Sequence, residues 1–175
     1  MKLSENNIRL VLFNHSDLDF FVEMTTCSKL MKHIYTPFTP EQAKLAFELK
    51  SQPWNFESDG WLTFSINDIK NNEKLGSIGL KVINHDAKIA EVGFIIKTSA
   101  QGKGVASIAL KLLKEYAFTQ LPLNKLVGYC SVHNLGSYKL LEKQGFIREG
   151  CLKQNSFADN QFVDDYVYGL CKSDI

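Results

Sequence analysis

Across one six-residue turn of this 175-residue chain the hydrophobic period changes from that of a strand to that of a helix, and this restricts the fold more than any other feature. Before the turn, 88–96 reads as an apolar strand; after it, 104–118 puts Val105, Ile108, Ala109, Leu112, Leu113 and Tyr116 on one helical face. The turn itself is Gln101, Gly102, Lys103, Gly104, Val105 and Ala106. Small residues between a strand and a helix let the backbone approach a ligand, and the free N–H groups of the helix start favour anionic oxygens, as in phosphate binding. The turn is too short for GxxxxGK[ST] and lacks the third glycine of GxGxxG, so it fits neither common nucleotide motif. The plain alternative is a tight connection with no ligand.

The other elements can be placed around this unit. Alternation at Ile8, Leu10 and Leu12 predicts a first strand, and Asp17 can cap a helix carrying Leu18, Phe21, Val22 and Met24. Thr39, Pro40 and Gln42 form a capping-box pattern that opens a second helix to about residue 50. Three antiparallel strands follow at 61–67, 75–83 and 88–96 as a meander. After the glycine turn and its helix come a strand at 125–132, a helix at 134–144 ended by a left-handed Gly145, and strands at 146–152 and 162–170. The reading is one α+β domain over residues 1–175, a mixed and mostly antiparallel central sheet with helices on both faces.

Net charge separates some function classes. A formal charge of +1 gives no strongly basic surface, so direct nucleic-acid binding is not expected. Neither a leader-like apolar segment nor a membrane span is evident, which predicts a soluble, cytoplasmic protein without a membrane partner. Cys27, Cys130, Cys151 and Cys171 lack CxxC spacing and read as reduced thiols suited to the interior. His15, His33, His85 and His133 lack ligand spacing, so no metal is expected.

Two further segments carry chemistry. Glu91, in the strand before the glycine turn, is a carboxylate able to accept a proton from an attacking amine; its alternative is a structural or solvent-facing role. Asn134 and Ser137 stand about one helical turn apart, where both can face a ligand or merely cap the helix. Trp54, Phe56 and Trp61 are suited to an acceptor pocket or to ordinary core packing.

Taken together these residues resemble the GNAT acetyltransferases. Gln101, Gly104 and Ala106 match the pattern Q/R-x-x-G-x-G/A, and Ala90 through Phe94 resembles the strand A-E-[IVL]-G-[YF] of the branch that acetylates ribosomal proteins and polyamines. Asn134, Ser137 and the run from Leu141 to Phe146 resemble the second family signature. The resemblance implies the GNAT fold and acetyl transfer from acetyl-CoA to a primary amine, on a peptide N-terminus or a small polyamine, and is compatible with a homodimer. It implies that backbone amides of Gly102, Lys103, Gly104, Val105 and Ala106 hold the pyrophosphate, with Lys103 adding charge. Phe94, Ile95 and Ile96 would border the pantetheine and thioester, an N–H near Ile95 would face the thioester oxygen, and Asn134 would bind the pantetheine arm. Glu91 and Ser137 would be the catalytic pair, Ser137 assisting the departing sulfur.

The chain departs from the family pattern in places. Leu141 stands where many members carry a tyrosine acid, Ser156 where some carry a glutamate base, and Phe13 where an arginine is usual. Asp164 and Tyr168 do resemble the last-strand pattern D-x-x-x-Y. Leu141 and Ser156 motivate an alternative, an acyl-CoA-binding regulatory module with weak catalysis. A protein using the glycine turn for ATP or NAD is a further, poorer fit.

Overall fold

A meander forms where three apolar strands are separated only by short polar turns. In the computed structural model, which describes residues 3–158 and 160–175, β3 (Leu62–Asp68), β4 (Lys74–Asn84) and β5 (Ile89–Ile96) pair antiparallel in sequence. β1 (Ser4–Glu5) and β2 (Ile8–Leu12) extend the sheet on one side. β6 (Lys125–Ser131) joins β5 in parallel on the other, and β8 (Gln161–Cys171) and β7 (Ile147–Ala158) finish it antiparallel. The order across the eight strands is β1-β2-β3-β4-β5-β6-β8-β7.

Both faces of the sheet are covered, so its central strands are buried almost continuously. On one face Ile78, Leu80, Val92 and Ile96 pack with Ala109, Leu110 and Leu113 of α4 (Val105–Gln120). Each such aliphatic side chain contributes about 1.5–3 kcal/mol when fully buried. Ala117 and Phe118 join this interior, whereas the expected Ile108 and Tyr116 are only partly buried, because the face turned to the sheet is rotated toward Leu110 and Ala117. α5 (Leu135–Lys143) lies beside α4: Lys114 Nζ donates to the Gln144 carbonyl (2.6 Å), and Gln144 Nε2 to Ser107 Oγ (2.8 Å). The opposite face carries α1 (Leu18–Thr26) and α3 (Pro40–Lys50), with the one-turn α2 (Ser28–Met31) between them.

The helix ends show which local signals hold. Thr39 and Gln42 make the expected reciprocal cap, Gln42 N–H donating to Thr39 Oγ1 (3.2 Å) and Thr39 N–H to Gln42 Oε1 (2.9 Å). Gly145 has φ +87°, with Phe146 N–H donating to the Leu141 carbonyl and Gly145 N–H to that of Glu142, a Schellman ending for α5. Asp17 does not cap α1. Asn14 opens a short 3-10 turn there, Asp17 completes that turn's capping box, and its carboxylate, 1% exposed, pairs with Lys74 Nζ at 2.8 Å. One carboxylate oxygen takes the Lys74 ammonium and the other accepts the Asn14 N–H at 2.9 Å, so the side chain is already engaged on both oxygens away from the start of α1. Cys130 is interior as expected, but Cys27, between α1 and α2, and Cys151, on the outermost strand β7, are exposed, and Cys171 is half-buried.

Tyr168 anchors the β7–β8 end. Its ring is fully buried, its hydroxyl donates to Glu142 Oε1 (2.8 Å), and it accepts from Arg148 Nε (2.9 Å). Tyr168→Phe is expected to cost only about 1 kcal/mol in urea unfolding, because Glu142 and Arg148 still pair directly at 3.0 Å. A loss several times larger would mean that the hydroxyl is the sole link between β8 and α5.

Candidate active site

Parallel pairing between β5 and β6 lasts for three residues, Ile89, Ala90 and Glu91 opposite Lys125, Leu126 and Val127. Beyond Glu91 the two strands separate. Their facing edges then have no strand partner, so the backbone N–H and C=O groups along 92–95 that point to that edge are available to a ligand. A cavity of about 390 Å³ opens at this wedge. Glu91, Phe94, Ile95, Asn134 and Ser137 all line it, so the structure brings together five residues drawn from two separate sequence segments.

Glycine and small polar residues shape the wall on the α1–α3 side. Thr63, Gly79 and Gly93 lie in register across β3, β4 and β5, Ser77 stands beside them opposite Ile95, and a Cβ at Gly93 would stand 3.1 Å from the Trp61 ring. Trp61 therefore belongs to the cavity, whereas Trp54 and Phe56 pack against the core. Lys50, at the end of α3, has its Nζ 4.3 Å above the Trp61 ring centroid. Burial pulls its ammonium down to about 8 against the attraction of Glu91, and the nearby Lys81 charge adds to the lowering. The ring face favours the charged form, but loss of water outweighs it. Glu91 is half-buried, and burial raises its carboxyl above the ordinary range despite the opposing pull of Lys81, its cross-strand neighbour, and Lys50.

The other side of the wedge is built by α5, β6 and β8. Asn134 Oδ1 accepts from Ser137 N–H at 3.2 Å, so the asparagine side chain caps α5 and fixes Ser137 at its first turn. Leu141 is buried against Gly128, where a Cβ would meet its methyl groups at 3.1–3.2 Å; an apolar contact fills the position at which a hydroxyl acid was missing. Tyr138 turns away to an edge contact with Tyr166, at 5.7 Å between centroids.

The glycine turn lies beyond the cavity, on the α4 side. Gln101 Nε2 donates to the Ile96 carbonyl (3.0 Å), tying the turn to the end of β5. Gly102 and Gly104 have φ +72° and +77°, a conformation that favours glycine, and a Cβ on either would meet nothing within 4 Å. Lys103 is exposed, Ala106 is half-buried, and Val105 and Ile96 are buried in the core. Open space above two glycines, next to first-turn N–H groups with no acceptor inside their helix, fits a pyrophosphate. The splayed strands fit the extended amide-bearing arm of a CoA thioester, so the residues present fit acetyl-CoA.

Sequence reasoning missed Asp165. It lines the same cavity, 6% exposed, with Oδ1 accepting from Ser156 Oγ (3.1 Å) and Oδ2 from Asn155 Nδ2 (2.9 Å). The last-strand pattern drew attention to its neighbour Asp164, which instead pins the hairpin through Lys153 Nζ (2.7 Å) and Gln154 N–H (2.8 Å). Alternation was the available signal, since Val163 and Asp165 share the inward parity of β8. Burial pushes the Cys130 thiol up to about 12, and the Asp165 charge adds to the rise.

No helix among the described residues is long and apolar enough to cross a membrane. An uncharacterized N-acetyltransferase, p20 of Bacillus licheniformis, is 34% identical over 109 residues, covering 62% of this chain and 61% of that protein. The ribosomal-protein-serine acetyltransferase of Escherichia coli (strain K12) is 35% identical, covering 57% and 55%. For the spermidine N(1)-acetyltransferase of the same strain the values are 39%, 51% and 48%. The chain thus spans about half to three fifths of the length of these curated relatives. A crystal structure of a GNAT-family acetyltransferase from Bacillus anthracis superposes over 99% of both chains, with a TM-score of 0.83 and 25% identity. The sequence model of the acetyltransferase (GNAT) domain matches residues 7–147, which include the meander, the glycine turn, β6 and α5, and the chain belongs to the GNAT acetyltransferase family.

Proposed function

We propose that the protein transfers acetyl from acetyl-CoA to a slender primary amine, a small polyamine or the free end of a peptide, that enters from the α1–α3 face. The observation that carries this reading is the wedge between β5 and β6, which opens into one cavity holding both a carboxylate and a hydroxyl. Two of the relatives are named for a ribosomal protein and for spermidine, which supports this range of acceptors.

Glu91 receives a proton from the acceptor ammonium, directly or through water, leaving a neutral nitrogen. That nitrogen bonds to the thioester carbon as the C–S bond breaks. Ser137 passes a proton to the sulfur, and the second nitrogen proton leaves to solvent. Backbone N–H groups on the unpaired edge of β5, near Ile95, face the position where charge develops on the oxygen. Gly102 to Ala106 hold the pyrophosphate, and holding both reactants in one cavity supplies much of the rate. The protein is read as acting in the cytoplasm.

Ser137→Ala tests the leaving-group role. Removal of the hydroxyl is expected to lower kcat by about 100-fold while CoA affinity, measured by calorimetry, stays within a few-fold. An unchanged kcat would remove Ser137 from the mechanism. CoA binding without release of thiol in the presence of any amine would identify a regulatory module.

A further inference from the structure

Glu91 has cations of its own chain nearby, in Lys81 and Lys50. Asp165 is in a different position. Among the described residues no lysine, arginine or histidine lies within ion-pairing distance of it, and its two partners, Asn155 and Ser156, are neutral. A carboxylate that is 94% covered by protein, hydrogen-bonded at both oxygens and without a counter-ion is costly to keep, unless a ligand brings the missing charge. Its two hydrogen bonds hold it in one orientation, which suits a fixed binding group.

Its location decides what that ligand is. Asp165 is the register partner of Ser131 at the end of β6, and both line the cavity with Ser137 and Asn134. Glu91 lines the same cavity from β5, so the two carboxylates flank the wedge from its two sides. We infer that Asp165 is the cation subsite of the acceptor pocket: its carboxylate binds an ammonium group of the incoming amine and holds the acceptor across the wedge from Glu91. The inference rests on the amine-acceptor reading above. It assigns Asp165 to acceptor binding, whereas Glu91 takes the proton, so the two residues separate in kinetics.

The test is steady-state kinetics of the full chain with spermidine and with a short peptide carrying a free N-terminal serine, using whichever the wild type acetylates, alongside CoA titration. Asp165→Asn preserves shape and removes the charge; acceptor KM is expected to rise roughly 30-fold or more, with kcat and CoA affinity changed only a few-fold. A second variant, Asp165→Asn combined with Asn155→Asp, retains the hydrogen bond between the two side chains but moves the charge to an exposed position on the hairpin. It is expected to raise acceptor KM likewise, and it serves where the single variant does not fold. A wild-type acceptor KM in either folded variant overturns the inference while leaving acetyl transfer intact. Failure of the wild type to release thiol with every amine overturns the amine-acceptor reading itself, and the subsite with it.

Discussion

Glu91→Gln is expected to lower kcat by about 100- to 1,000-fold without weakening CoA binding, a loss typical of a removed general base. The side chain sits at the last residue of β5 paired with β6, at the point where the two strands separate, and Lys50 and Lys81 are its charged neighbours. Burial raises its pKa, so the acidic limb of the kcat profile should lie above the ordinary carboxylate range. The base works ionised, so activity falls as pH drops through the raised pKa. That limb should disappear in the glutamine variant. As pH rises through about 8, Lys50 loses its proton and with it the attraction that helps keep Glu91 ionised. A glutamine variant with full activity and an unchanged acidic limb would assign the proton to another group.

Phe47→Ala should give the largest loss of stability, about 3–5 kcal/mol, and a fall in Tm on the order of 10 °C. Phe47 is 2% exposed and touches Phe13 (5.6 Å between centroids) and Phe21 (5.8 Å), while Phe13 and Phe21 meet edge-on at 5.9 Å. This cluster, separate from the main interior, fastens α1 and α3 to the sheet. Lys50 is carried by the last turn of α3 and Phe21 itself lines the cavity, so loosening the cluster disturbs the acceptor side. Acceptor KM should rise while CoA affinity is kept, because the glycine turn belongs to the opposite face. Thermal and urea denaturation, followed by titration of both substrates, check the prediction. Wild-type stability would mean that α3 is held by something other than the three rings.

Much of this architecture was legible because it rests on local signals. The capping box at Thr39, the left-handed Gly145 and the change of period after Gly104 each follow from backbone hydrogen bonding within a few residues. The three strands of the meander were placed to within a residue or two at their ends. Less legible were features made by distant pairing. Asp17 sits at a helix start in sequence, but Lys74, across the molecule, decides its role. The short parallel register of β5 on β6, which creates the wedge, leaves no trace in either strand alone. Asp165 went unnoticed because a spacing pattern pointed to Asp164, and only the burial of alternate β8 residues tells the two apart. The Ile96 side chain is packed into the core at the end of β5, where its carbonyl holds Gln101, a contact that follows from the tertiary fold and not from the strand's own pattern.

On the proposed reading, one cavity at the β5–β6 wedge joins a CoA thioester to an amine. The most direct measurement is thiol release from acetyl-CoA by the wild-type protein, with and without spermidine, N-terminal peptides and aminoglycosides, with mass spectrometry of the products. Release that depends on the acceptor is expected, with a product carrying one acetyl group on a primary amine. Tight CoA binding with no acceptor-dependent release and no acetylated amine would contradict that reading.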